Sequence, residues 1–118
     1  MIMNSNPDMI VFCGPMFSSK TSHLIAAIDR YTYQHKHVVC FKPQLDDRYS
    51  QSKIVTHSGI SIAAQPVNSG KEILDYLATS AEKFDVVAVD EVFMIDGSAE
   101  ALIHLFKLGF TIIVSSLE

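Results

Sequence analysis

The sequence predicts an α/β fold in which a mainly parallel sheet is flanked by helices. Two observations carry that expectation. Short apolar runs alternate along the chain with segments of helical periodicity, the signature of strand–helix–strand units. The strand-like runs are also apolar at nearly every position, as strands covered on both faces are. At 118 residues the chain suits one domain, residues 1–118, with a modest core.

Taken in order, Met9-Ile10-Val11-Phe12-Cys13 reads as a buried-type strand. A helix follows over 20–34, with Leu24, Ile25 and Ile28 on its apolar face. Residues 37–42 (HVVCFK) form a second strand, and 43–53 a polar loop opened by Pro43. Residues 54–64 alternate and suggest a short β excursion turning at Ser58-Gly59. Ser69 is placed to cap a helix whose buried stripe is Ile73, Leu74 and Leu77. Residues 84–89 make a third strand ending at Asp90-Glu91. Residues 98–107 make a third helix with Leu102, Ile103, Leu105 and Phe106 inward, closed by Gly109 in the manner of a glycine C-cap. The last strand is 110–114.

Composition narrows the function. The chain is 48% hydrophobic and 19% charged, which is ordinary for a globular protein. Its net charge of −4, without any block of Lys or Arg, argues against binding nucleic acid through a basic face. No apolar run is long enough to span a membrane, and the N-terminal MIMNSNPD lacks the basic start of a signal peptide. The two cysteines, Cys13 and Cys40, lie in apolar runs and read as small buried hydrophobes; no C-x-x-C pair supports zinc. A cytoplasmic protein is expected.

The chemistry starts at Gly14-Pro15-Met16-Phe17-Ser18-Ser19-Lys20-Thr21. This string matches the phosphate-binding loop G-x-x-x-x-G-K-[ST] at all positions but one, between a strand and a helix. Successive backbone N–H groups in such a loop wrap a polyphosphate, and the helix N-terminus adds partial positive charge. Lys20 would reach the terminal phosphates and Thr21 would offer its hydroxyl to magnesium. Ser19 stands where the pattern has glycine, and its Cβ crowds a turn that must approach phosphate closely.

Asp90-Glu91 is the second signal. Ligands of open α/β sheets sit at the carboxyl ends of strands, so Asp90 falls near the loop, where it would hold magnesium through water. Glu91 would point the other way and act as a base on a hydroxyl. An isolated Asp-Glu pair reads as the start of a solvated loop; the phosphate-loop pattern upstream tips the reading toward function. Asp46-Asp47-Arg48-Tyr49 is weaker: an arginine there would stabilise a transferring phosphoryl group, yet alone it is a charged surface loop. Histidines 23, 35, 37, 57 and 104 show no metal-ligand spacing, and His57-Ser58 adds little.

Four ordered segments, GPMFSSKTSHLI, FKPQLDDRYS, VTHSGISIAA and VVAVDEVFMI, together resemble the thymidine kinase family of the cytosolic, bacterial and poxviral type. The resemblance implies a RecA-like P-loop NTPase core that passes the γ-phosphate of ATP to the 5′-hydroxyl of thymidine, with ATP and Mg2+ as cofactors. It implies that residues 14–21 bind ATP, that Met16 and Phe17 face the nucleoside, and that Thr21, Asp90 and Asp46 attend the metal. Glu91 would be the catalytic base, and Arg48 would lie near the phosphates. Phe93 stands where the family carries glutamine, and the family's zinc-bearing lasso has no counterpart in this sequence. The expectation is therefore the ATP-binding core of such a kinase. The alternative is a degenerate relative that binds nucleotide or a protein partner without turnover. Loss of the lasso would leave the edge of the site and the strand at 110–114 partly uncovered, so a homo-oligomer or a partner over that edge is expected.

Overall fold

The computed structural model describes residues 6–14, 20–44, 53–55 and 61–117. Strands β1 (Met9–Cys13), β2 (Val38–Pro43), β5 (Gln65–Val67), β6 (Val86–Val89) and β7 (Thr111–Ser116) form one sheet in the order β1-β7-β6-β2-β5. Every pairing in it is parallel. β3 (Lys53–Val55) and β4 (Ser61–Ala63) pair antiparallel as a separate ribbon. Among the described residues the α-helices are α1 (Lys20–Tyr33), α2 (Gly70–Thr79) and α3 (Ser98–Lys107). The expected α/β architecture with a mainly parallel sheet flanked by helices is what the chain adopts.

Side-chain alternation explains why the central strands are continuously apolar. Along β6, Val86 and Ala88 join a core layer with Leu24, Ala27 and Ile28 of α1. Val87 and Val89 enter the opposite layer, with Ile73 of α2 and Leu102 and Leu105 of α3. β2 divides in the same way, sending Cys40 toward α1 and Val39 and Phe41 toward α2 and α3. With both faces covered, these strands are apolar up to their carboxyl ends, where buried Lys42 donates to Lys53 O at 3.0 Å. Truncating a residue such as Leu24 would cost about 2–5 kcal/mol.

The α2–α3 junction is tight. Ser69 caps α2 by accepting from Glu72 N at 3.3 Å, as its position in the sequence suggests. The carboxylate of Glu72 returns to accept from Asn68 N at 3.0 Å. Gly70 N donates to Asp96 O at 2.7 Å, and a Cβ on Gly70 would lie 2.2 Å from Gly97 O. Only glycine allows that approach. Gly109, at φ 104°, follows α3 as the expected left-handed terminator.

Several expectations are corrected. The strand expected at 110–114 to border an open edge is β7, which lies between β1 and β6 and is buried over 111–115. The edge is β1 instead, whose outward face exposes Met9, Val11 and Cys13. Cys13 is thus not a buried residue, because α1 covers one face of β1 and leaves the alternate side chains outward; Cys40 is buried as expected. Ile103 also faces out, since α3 buries Ala101, Leu102 and Leu105 instead. β5 was not anticipated: it is three residues long and contains Pro66, which the opposite edge of the sheet accommodates. The turn at Ser58-Gly59 lies outside the described residues.

Candidate functional site

The site gathers where β1, β6 and β7 end, at the carboxyl edge of the sheet. β1 delivers Gly14, whose N–H donates to Ser116 O at 3.2 Å. Lys20 opens α1 and is 4% exposed. Its ammonium donates to Gly14 O at 3.2 Å and to Ser116 O at 3.3 Å. The ring of Phe93 also lies against this ammonium, with its centroid 5.1 Å from Nζ. The first turn of α1 holds no acidic side chain of its own.

The acids arrive on β6. Asp90 follows Val86 and Ala88 by the strand's two-residue period, which turns it to the face that α1 covers. It is buried, its N–H donates to Phe41 O at 2.9 Å, and its Oδ1 accepts from Thr21 Oγ1 at 3.3 Å. Oδ1 accepts a second, shorter bond of 2.5 Å from Ser115 Oγ on β7. A buried carboxylate requires donors of this kind to offset the loss of water. Glu91 is 2% exposed and sits in the left-handed region at φ 49° and ψ 52°. For a residue other than glycine that conformation costs on the order of 1–3 kcal/mol. It is held from both sides: Glu91 N donates to Ser115 Oγ at 2.7 Å, and Glu91 O accepts from Met94 N at 3.0 Å as the 3-10 turn Val92–Met94 begins.

The fold therefore brings together Gly14, Lys20, Thr21, Asp90 and Glu91 among the residues singled out from the sequence. Pro15, Met16, Phe17, Ser18, Ser19, Asp46, Arg48 and His57 lie outside the described residues. Ser115 and the carbonyl of Ser116 were not foreseen. The available signal was the polar pair closing TIIVSS, at the same end of the sheet as Asp90. Phe93 stands out in the sequence by its place in the motif; its contact with Lys20 emerges only in the fold.

A mainly parallel α/β sheet, with a buried lysine opening the helix after β1 and an acid closing a neighbouring strand, is consistent with a P-loop NTPase core. The family is shown independently: residues 8–118 match the family model described as Thymidine kinase. The chain belongs to the thymidine kinase family.

Proposed function

We propose that this chain, as a single domain, is the ATP-binding core of a thymidine kinase, supporting transfer of the γ-phosphate of ATP to the 5′-hydroxyl of thymidine in DNA-precursor salvage. The observation that carries the reading is the Thr21–Asp90 hydrogen bond, which joins the first turn of α1 to the end of β6. A hydroxyl and a carboxylate brought together at this place are the pair that holds Mg2+ in phosphate-loop enzymes. The donor set fits: both are hard oxygen donors, and Mg2+ takes one or two carboxylates and keeps several waters. When bound, the ion neutralises charge on the phosphates.

The chain's own residues supply the rest. Lys20 exchanges its carbonyl contacts for phosphate oxygens, and residues 14–21 are assigned to ATP by their match to the phosphate-loop pattern. Asp90 orients Thr21 and, with it, would hold the ion. Glu91 takes the proton of the attacking hydroxyl, and its fixed backbone limits where its carboxylate reaches. Asp46 and Arg48 are assigned to the phosphate side by resemblance. Phosphoryl transfer draws on positioning and charge neutralisation more than on covalent chemistry, so a preformed constellation is the main requirement.

A second reading has one specific support. The Phe93 ring on Lys20 engages the lysine that nucleotide must recruit, as suits a relative that binds weakly or without turnover. Labelled-phosphate transfer from ATP to thymidine by the 118-residue chain separates the two. Transfer that is lost in Glu91→Gln and Asp90→Asn supports the kinase; folded protein that binds ATP without transfer supports the alternative. We also place the protein in the cytoplasm and expect self-association, or a partner, over the open edge at β1. No helix among the described residues is long and apolar enough to cross a membrane.

A further inference from the structure

We propose that Ser115 is a positioning residue that aligns both acids of the site through a single hydroxyl. The proposal rests on the function proposed above and adds to it a residue on a third strand. A serine hydroxyl has one hydrogen to donate and lone pairs to accept with. Here the hydrogen goes to Asp90 Oδ1 at 2.5 Å, and a lone pair receives Glu91 N–H at 2.7 Å. The first bond fixes the rotation of the Asp90 carboxylate, the same oxygen to which Thr21 donates. The second pins the backbone of Glu91 at the residue that adopts the left-handed conformation. One oxygen therefore governs where the metal-side carboxylate points and where the base-side residue begins.

The topology explains why this residue has such reach. β7 runs between β1 and β6, with Val114 registered against both Val11 and Val89. Residues just beyond that register meet the phosphate-loop strand on one side and the acid strand on the other. Ser116 uses its carbonyl toward the first, accepting from Gly14 N and Lys20 Nζ. Ser115 uses its side chain toward the second. It follows Ile113 by two residues and so faces α1, as Asp90 does. Its side chain is fully buried, which excludes water as a substitute donor on the solvent side. Ser115 is the fully buried hydroxyl that follows the apolar residues Ile112, Ile113 and Val114.

The test uses the 118-residue chain and its Ser115→Ala and Ser115→Thr variants, with ATP binding followed by calorimetry at increasing Mg2+. Loss of a hydrogen-bond partner behind a metal ligand typically weakens metal affinity about 10–100-fold. Ser115→Ala is expected to raise the Mg2+ concentration for half-maximal enhancement by about ten-fold, with ATP binding in EDTA unchanged. Threonine, which keeps the hydroxyl, should restore the wild-type value. A Mg2+ requirement unchanged in folded Ser115→Ala, or a threonine variant that behaves like alanine, overturns the proposal. Should alanine prevent folding, Ser115→Cys, of similar size and weaker donor strength, replaces it with the same expectation. Amide exchange at Glu91, read by NMR, decides the matter separately from nucleotide binding. If the wild type shows no Mg2+-dependent binding, the kinase reading fails. The positioning role then stands on faster Glu91 exchange in Ser115→Ala and falls if exchange is unaltered.

Discussion

Replacing Phe93 should strengthen ATP binding, because its ring lies against the Lys20 ammonium that must reach the phosphates. Its centroid lies 5.1 Å from Nζ, within the range of a cation–π contact, and the residue is 40% exposed. At such partly exposed sites the interaction contributes about 0.5–1 kcal/mol. Lys20 must give up this contact, with those to Gly14 O and Ser116 O, before it reaches a phosphate. A contact that Lys20 gives up on binding opposes binding by its full strength. Removing it should tighten ATP about two- to five-fold, the same energy converted at RT ≈ 0.59 kcal/mol. Phe93→Leu is the cleaner variant, since it keeps an apolar side chain and deletes the aromatic face. Phe93→Gln installs the residue that the family carries in this place. Calorimetric titration of both against wild type at equal Mg2+ gives the comparison. Unchanged or weaker ATP binding by Phe93→Leu, in protein with the wild-type melting temperature, would refute this reasoning.

Gly70→Ala should destabilise the fold by about 1–3 kcal/mol, since its Cβ would meet the Gly97 carbonyl 2.2 Å away and backbone cannot step aside; a melting temperature within 1 °C of wild type, a threshold set at about the error of a thermal scan, speaks against the tight α2–α3 junction. Thiol labelling at pH 8 should modify Cys13 quickly and Cys40 only on unfolding. Cys40 is buried, and burial pushes its thiol up to about 12, whereas Cys13 is exposed on the edge strand; two fast thiols in folded protein would contradict this. Tyr31 is raised to about 12 by partial burial, helped by donating to Asp8 Oδ2 at 2.9 Å. A folded value above the unfolded one contributes stability that is present below about pH 10 and is lost as pH rises through about 12. Tyr31→Phe should accordingly flatten the loss of stability in that window, as followed by denaturant titration at pH 9 and pH 11, either side of the ordinary tyrosine value of about 10.

Much of the architecture was legible because it depends on local pattern. Met9–Cys13 and Ser98–Lys107 fall where apolar runs and helical period place them, and Ser69 caps as its chemistry suggests. What escaped depends on which strands become neighbours. Cys13 and Val11 look like core residues until β1 is known to be an edge strand. The strand at Thr111–Ser116 looks like a terminal edge until it is seen to insert between β1 and β6. The site divides in the same way. Lys20, Thr21, Asp90 and Glu91 carry motif spacing that can be read in one dimension. Ser115 acts on residues 24 and 25 positions away, through bonds that exist only because β7 lies beside β6. Phe93 reaches Lys20 across the same sheet edge.

Lys20, Thr21 and Asp90 are proposed to form a working phosphate site. Its most direct test is calorimetric titration of the purified chain with ATP·Mg2+, repeated with Lys20→Ala. Saturable binding by the wild type that disappears in the variant is the predicted result. Folded wild-type protein that takes up no ATP·Mg2+, or a Lys20→Ala variant that binds as tightly as wild type, would contradict the account.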